Sequence, residues 1–231
     1  APEHQDTAAS LSSLARFYKT LGKYAEAEQL LSRAMKVREK LLGADHPRYA
    51  GNMSAIAGPY EEMGKYRDAE ALYLKALKIT EQSRGGAHPT TARVMTSLAN
   101  LYLDMGRYEE AEKLVETAVK INQDKLGKEH VETARSMQVQ AEVYIAKGLY
   151  AEAEPLCKRA LGIREKILTK EHPLVADSRI ALASLYRNSG RSPEAEAEYK
   201  KALAIQEKAL GTDHLDVAES LNLLGTLSQE R

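Results

Sequence analysis

All six histidines of this 231-residue chain, His4, His46, His88, His130, His172 and His214, stand 42 residues apart. The same step carries Gly22 to Gly64, Gly106, Gly148 and Gly190, and Tyr18 to Tyr60, Tyr102, Tyr144 and Tyr186. It also carries Ala27 to Ala69, Ala111, Ala153 and Ala195, and Ala34 to Ala76, Ala118, Ala160 and Ala202. Chance does not hold five columns in register over five copies. The chain is therefore a tandem array, and each copy buries its apolar face against its neighbours. We place the copies at about 3–44, 45–86, 87–128, 129–170 and 171–212, with a partial sixth at 213–231, all in one array spanning residues 1–231.

Each copy reads as two helices. In the third, Val94, Leu98, Leu101 and Tyr102 make an apolar stripe at helical spacing over roughly 91–105. Gly106 follows, where a helix end wants a residue that tolerates the left-handed conformation. A second helix over roughly 109–125 turns Ala111, Leu114, Val115, Ala118 and Ile121 inward. A loop such as Gly43-Ala44-Asp45-His46-Pro47 then stops one helix just ahead of the next. Ala, Leu, Glu and Lys dominate the composition, and they lose little side-chain freedom in a helix. The fold class is all-α.

A period of 42 also lies within the range of HEAT and armadillo arrays. The internal signature decides against them. The fifth copy offers Leu182, Ala183 and Tyr186 in its first helix, then Ala195, Tyr199 and Ala202 in its second. Small residues of this kind let two helices approach closely, and the aromatics fill the wedge between neighbouring hairpins.

Taken with Gly-Lys-Tyr or Gly-Arg-Tyr turns, Ala-Glu pairs and Leu-Gly-x-x-His-Pro loops, the 42-residue step resembles kinesin light chain-type tetratricopeptide repeats. The stretch Tyr150 to Leu168, YAEAEPLCKRALGIREKIL, is especially similar to one repeat of that family. The resemblance covers nearly the whole chain. It implies a right-handed superhelical solenoid of antiparallel helix pairs, five full repeats plus a partial sixth. It also implies an inner groove, lined by the first helices, that holds short acidic peptides with an aromatic anchor. No sustained heptads are present, so a motor role does not follow. Three departures stand out. Gln140 replaces the apolar residue of Leu14, Ile56, Leu98 and Leu182, and Ser192-Pro193 replaces the tyrosine of Tyr24, Tyr66, Tyr108 and Tyr150. Gly58-Pro59 falls inside a first helix, either as drift or as a local widening of the groove.

Little in the chain suggests chemistry. With 33 basic and 33 acidic residues there is no overall field to draw it to nucleic acid or an anionic membrane. Histidines on successive loops are separated by two packed helices, at about 8–10 Å per helix contact, whereas zinc wants its nitrogens within about 2.1 Å. Each is expected to anchor its loop by hydrogen bonding. Cys157 shares a column with Leu31, Tyr73, Val115 and Tyr199 and reads as packing. Acidic pairs such as Glu61-Glu62 read as solvated helix faces. Eleven of the twelve tyrosines belong to repeated columns, which leaves Tyr49, at the start of a first helix, as the one open to solvent. No enzyme, cofactor or metal is expected. No apolar run is long enough to span a membrane and no signal peptide opens the chain, so the expectation is a cytoplasmic protein. A start at Ala1 without Met and an end inside a helical pattern suggest a piece of a longer chain.

The expected function is to bind another protein through the groove. Candidate contacts are Arg16 and Lys19, then Ser54, then Arg93, Thr96 and Asn100, on the first helices of the first three copies. Arg135 and Gln138, Arg187 and Asn188, and finally Asn222 continue the stripe. Hydroxyls and amides suit an extended peptide backbone, and arginines suit carboxylates by bidentate geometry. Glu61, Glu62, Asp104, Glu142 and Asp177 dilute that positive field. The alternative is a scaffold or sensor arm of a larger protein, whose groove holds a folded or intramolecular partner. Leu221, Leu223, Leu224 and Leu227 on the last helix would favour end-to-end self-association. Arg93 and Arg135, one repeat apart on one column, are expected to clamp a carboxylate. Reversing both to Glu should abolish partner binding while circular dichroism shows helicity retained; undiminished binding removes this reading.

Overall fold

The computed structural model describes residues 5–230, apart from the side chains at 5, 19, 20 and 48. His4 and the Lys19 side chain thus lie outside the described residues. Among these, eleven helices and no strand form two compact units that meet between Arg107 and Tyr108. Unit 1 contains α1 (Gln5–Thr20), α2 (Tyr24–Leu42), α3 (Pro47–Glu62), α4 (Tyr66–Arg84) and α5 (Pro89–Asp104). Unit 2 contains α6 (Tyr108–Leu126), α7 (Val131–Ala146), α8 (Tyr150–Ile167), α9 (Pro173–Asn188), α10 (Ser192–Leu210) and α11 (Leu215–Gln229). Hairpins α1–α2 and α3–α4 stack in unit 1, and α7–α8 and α9–α10 in unit 2.

Local chemistry explains the turns. Gly106 has φ +72, and the Arg107 N–H reaches back to the Tyr102 carbonyl at 2.8 Å. That bond closes a helix end by the Schellman pattern, which only a left-handed residue permits. Lys23 to Tyr18, Lys65 to Tyr60, Leu149 to Tyr144 and Arg191 to Tyr186 repeat it. Four of the periodic histidines prove to be N-caps. Nδ1 of His88 accepts from the Thr90 N–H at 3.1 Å, and His130, His172 and His214 do the same for Glu132, Leu174 and Asp216. Each satisfies one of the donors that a helix start leaves open.

Packing rests on four alanine columns, not two. Besides the columns of Ala27 and Ala34, the first helices bury Ala8, Ala50, Ala92, Ala134 and Ala176, and Ala15, Ala57, Ala99, Ala141 and Ala183. A fifth column is polar. Arg38, Thr80, Asn122, Arg164 and Gln206 occupy one position near the end of each long second helix. In unit 2 these side chains reach the next first helix: Asn122 Nδ2 donates to Ser136 Oγ at 3.3 Å, Arg164 Nη1 to Ser178 Oγ at 2.7 Å, and Ser220 Oγ to Gln206 Oε1 at 2.6 Å.

A charged clamp seals successive repeats on the second-helix side. Arg107 stacks on the Tyr102 ring at 3.9 Å and pairs with Glu70 at 2.6 Å, while Tyr102 Oη donates to the same carboxylate. Arg191, Tyr186 and Glu154 repeat the arrangement. Leu149 stands where those arginines stand, and Lys147, two residues earlier, takes over the pairing with Glu112.

Two expectations are corrected. Tyr49 is buried, 1% exposed, in a column with Thr91, Thr133, Val175 and Val217, and burial, then Glu39, pushes its phenol up to about 12. The leucines of α11 are not all surface: Leu227 is 1% exposed, and Leu223 and Leu224 pack against the same core cluster, which leaves Leu221 exposed. Helix α3 runs on through Pro59. Cys157 is buried as expected, with its thiol pushed up to about 12 by that burial.

The alanine columns generate a direct test. Ala118→Leu places three extra carbons where the native residue has no exposure. Thermal unfolding should show a loss of about 1–3 kcal/mol, whereas Lys120→Leu, on the exposed side of the same helix, should change stability by less than about 0.5 kcal/mol.

Candidate peptide-binding surface

In unit 2, α7 and α9 border a cavity of about 410 Å³. Gln138, Glu142, Ile145 and Ala146 line it from α7, and Asp177, Ile180, Ala181, Ser184 and Asn188 from α9. Steps of three and four residues put each set on one helix face. The stripe read from the sequence therefore gathers into a concave surface here, with Gln138 and Asn188 both on its wall.

The polar residues of this wall are fixed from behind. Arg164 is 4% exposed, and its Nη1 lies near Gln138 Oε1, Ser178 Oγ and, at 3.0 Å, the Leu174 carbonyl. Burial lowers the pKa of this guanidinium. Gln138 in turn donates to Glu142 Oε1 at 2.9 Å. Ser184 Oγ meets the buried Tyr199 hydroxyl at 3.1 Å. Asp177 accepts no hydrogen bond among the described residues, and burial raises its pKa against the opposing pull of Arg164.

In unit 1 a cavity of about 320 Å³ lies between α1 and α3, lined by Ser12 and Arg16 from α1, Arg38 from α2, and Pro59 and Glu62 from α3. Arg16 is exposed. Arg38 Nη2 donates to the Ala8 carbonyl at 3.4 Å, while its buried Nη1 has no partner among the described residues. Burial lowers this guanidinium's pKa too.

Other candidates are placed differently. Thr96 is buried and donates to the Ala92 carbonyl at 2.9 Å, so its hydroxyl is taken up by its own helix. Ser54 likewise bonds its own helix, at Ala50. Asn100 Nδ2 donates to Glu61 at 3.2 Å. Arg135 sits 3.9 Å from Glu132, and Arg187 is held by both oxygens of Glu230. Arg93 and Asn222 are exposed. Sequence reasoning missed Arg38 and Arg164 because they lie on second helices. Their signal was the polar column at a 42-residue step.

A tetratricopeptide repeat family model matches residues 6–82, 52–124, 90–166, 132–208 and 180–231. The chain belongs to the tetratricopeptide repeat family. No curated protein matches it. Among solved structures it is similar to the nearly identical TPR-like repeats of Podosopora anserina described as kinesin light chain. These are 30% identical with a TM-score of 0.65, over 90% of this chain and 99% of that one. BtubC (BKLC) from P. vanneervenii is 23% identical with a TM-score of 0.70, covering 90% and 82%. Aspartyl phosphate phosphatase F from Bacillus subtilis shares the fold at 15% identity and a TM-score of 0.70, covering 95% and 54%. Tetratricopeptide arrays mediate protein–protein interaction. No helix among the described residues is long and apolar enough to cross a membrane.

Glu61 departs from the solvated face expected of it. It accepts from Tyr73 Oη and Asn100 Nδ2, both at 3.2 Å, and burial, with Asp104 nearby, raises its pKa. A carboxyl raised in the folded state stabilises below that value, and the contribution is lost as pH rises through it. Glu61→Gln should therefore raise Tm near pH 7 and have little effect near pH 4; an equal shift at both would remove the ionisation argument.

Proposed function

We propose that this tetratricopeptide array binds an extended segment of a partner protein along its first helices, with the α1–α3 cavity of unit 1 taking a carboxylate from that segment. The observation that carries the reading is that two guanidinium groups, those of exposed Arg16 and half-buried Arg38, line one cavity. A carboxylate bound between the two guanidiniums gains charge-assisted hydrogen bonds. Proline at 59 has no backbone N–H for the Ala55 carbonyl on the cavity wall, which is then open to accept from a backbone N–H of the bound segment. Exposed Arg93, on α5 of the same unit, adds positive potential.

Selection of a displayed random-peptide library on the whole chain tests this. Peptides carrying Asp or Glu should be enriched, should bind more weakly as salt rises, and should lose about tenfold or more in affinity on Arg16→Glu with Arg93→Glu. Acidic peptides that bind equally well to this variant would overturn the assignment.

A further inference from the structure

The cavity of unit 2 has the opposite character. Two carboxylates, Glu142 and Asp177, face an apolar floor of Ile145, Ile180, Ala146 and Ala181. Of the neighbouring cations, Arg179 pairs with Glu165 and Glu198, Lys147 with Glu112 and Arg187 with Glu230, while Arg135 sits 3.9 Å from Glu132. Arg164 stands behind the wall, bonded to Gln138 and Ser178. Two helices also end here, since Ala146 and Asn188 are the last residues of α7 and α9. A helix C-terminus carries about half a negative charge, and a positive group beside it is stabilised.

We infer that the α7–α9 cavity binds a Lys or Arg side chain of a protein partner, set beside a large aliphatic or aromatic residue that packs on Ile145 and Ile180. This rests on the reading of the chain as a peptide-binding module, and it assigns to unit 2 the reverse of the charge preference proposed for unit 1. The occupant follows from complementarity. The volume of about 410 Å³ lies within the range of about 300–1,000 Å³ typical of ligand pockets. The floor supplies contact area, and the carboxylates supply orientation. Asp177 has an open acceptor, which a carboxylate-bearing peptide would leave unpaired and repel, and which an ammonium or guanidinium satisfies. Ser184 and Asn188 flank the floor and can hydrogen-bond the bound backbone.

The same displayed library reads this surface separately when selected on Glu142→Gln with Asp177→Asn. These replacements keep shape and remove charge, and circular dichroism with retained binding of the acidic peptides shows that the array is intact. Peptides enriched on the native chain but lost on this variant should carry Lys or Arg within two residues of Leu, Ile, Phe, Tyr or Trp. As synthetic labelled peptides they should weaken about tenfold or more in fluorescence polarisation. They should be indifferent to Arg16→Glu with Arg93→Glu, whereas failure of the unit 1 reading shows only in the acidic set. The inference is overturned if no cationic peptide is enriched on the native chain, or if the cationic peptides bind the variant unchanged.

Discussion

Contact between helices at alanine is the constraint on which the other interactions depend. Helix axes approach to about 8–10 Å according to the side chains between them, and here four columns of buried alanine set that spacing for the hairpins within each unit. Close approach is what brings Glu70 of α4 to Tyr102 and Arg107 and lets Ser136 meet Asn122 across two helices. These polar contacts tolerate little displacement, because hydrogen bonds weaken steeply with geometry. A larger residue in the alanine columns would therefore cost both packing and the bonds that packing permits.

The length of the repeat has a structural purpose. Second helices such as α6 and α10 run to 19 residues, against 16 for first helices such as α7 and α9. The polar column sits near the end of the longer element and reaches the opening turns of the next first helix, at Glu132, Leu174 and their neighbours. Its residues vary with their partner. Where Ser136, Ser178 and Ser220 offer hydroxyls, the column holds Asn122, Arg164 and Gln206. Val94 offers none, and Thr80 turns its hydroxyl back on Ala76 and Leu77 of its own helix. Burying Arg164 is expensive unless its donors are met, and three acceptors cluster around Nη1 while Nε has none.

Repeat, helix pairing and turn glycines were legible because a fixed step compares each residue with its equivalents. Where a residue was judged alone, the reading failed. Tyr49 looked available to solvent, yet Thr91, Thr133, Val175 and Val217 in its column are all buried. Leu227 shares a column with buried Leu101, Val143 and Leu185 in the same way. The stripe placed Ser12, Ser54 and Thr96 on one helix face correctly as angles but not as donors, since each hydroxyl folds onto the carbonyl four residues back. Charge was the least legible property. Arg187 reads as a groove cation until Glu230, 43 residues away, is seen to hold it.

This division separates what maintains the fold from what selects a partner. Seam pairs such as Glu70–Arg107, Glu112–Lys147 and Glu154–Arg191 recur with the repeat, and one even survives the loss of its usual cation at Leu149. Groove residues at equivalent positions change freely, from Ser12 and Ser54 to Gln138 and Ile180. Substitution in the groove therefore changes charge and shape at little cost to stability. Gln138 is the exception, because it lines the α7–α9 cavity and also accepts from buried Arg164. There, recognition and the core share one hydrogen-bond network, and a change made for the partner is felt between the helices.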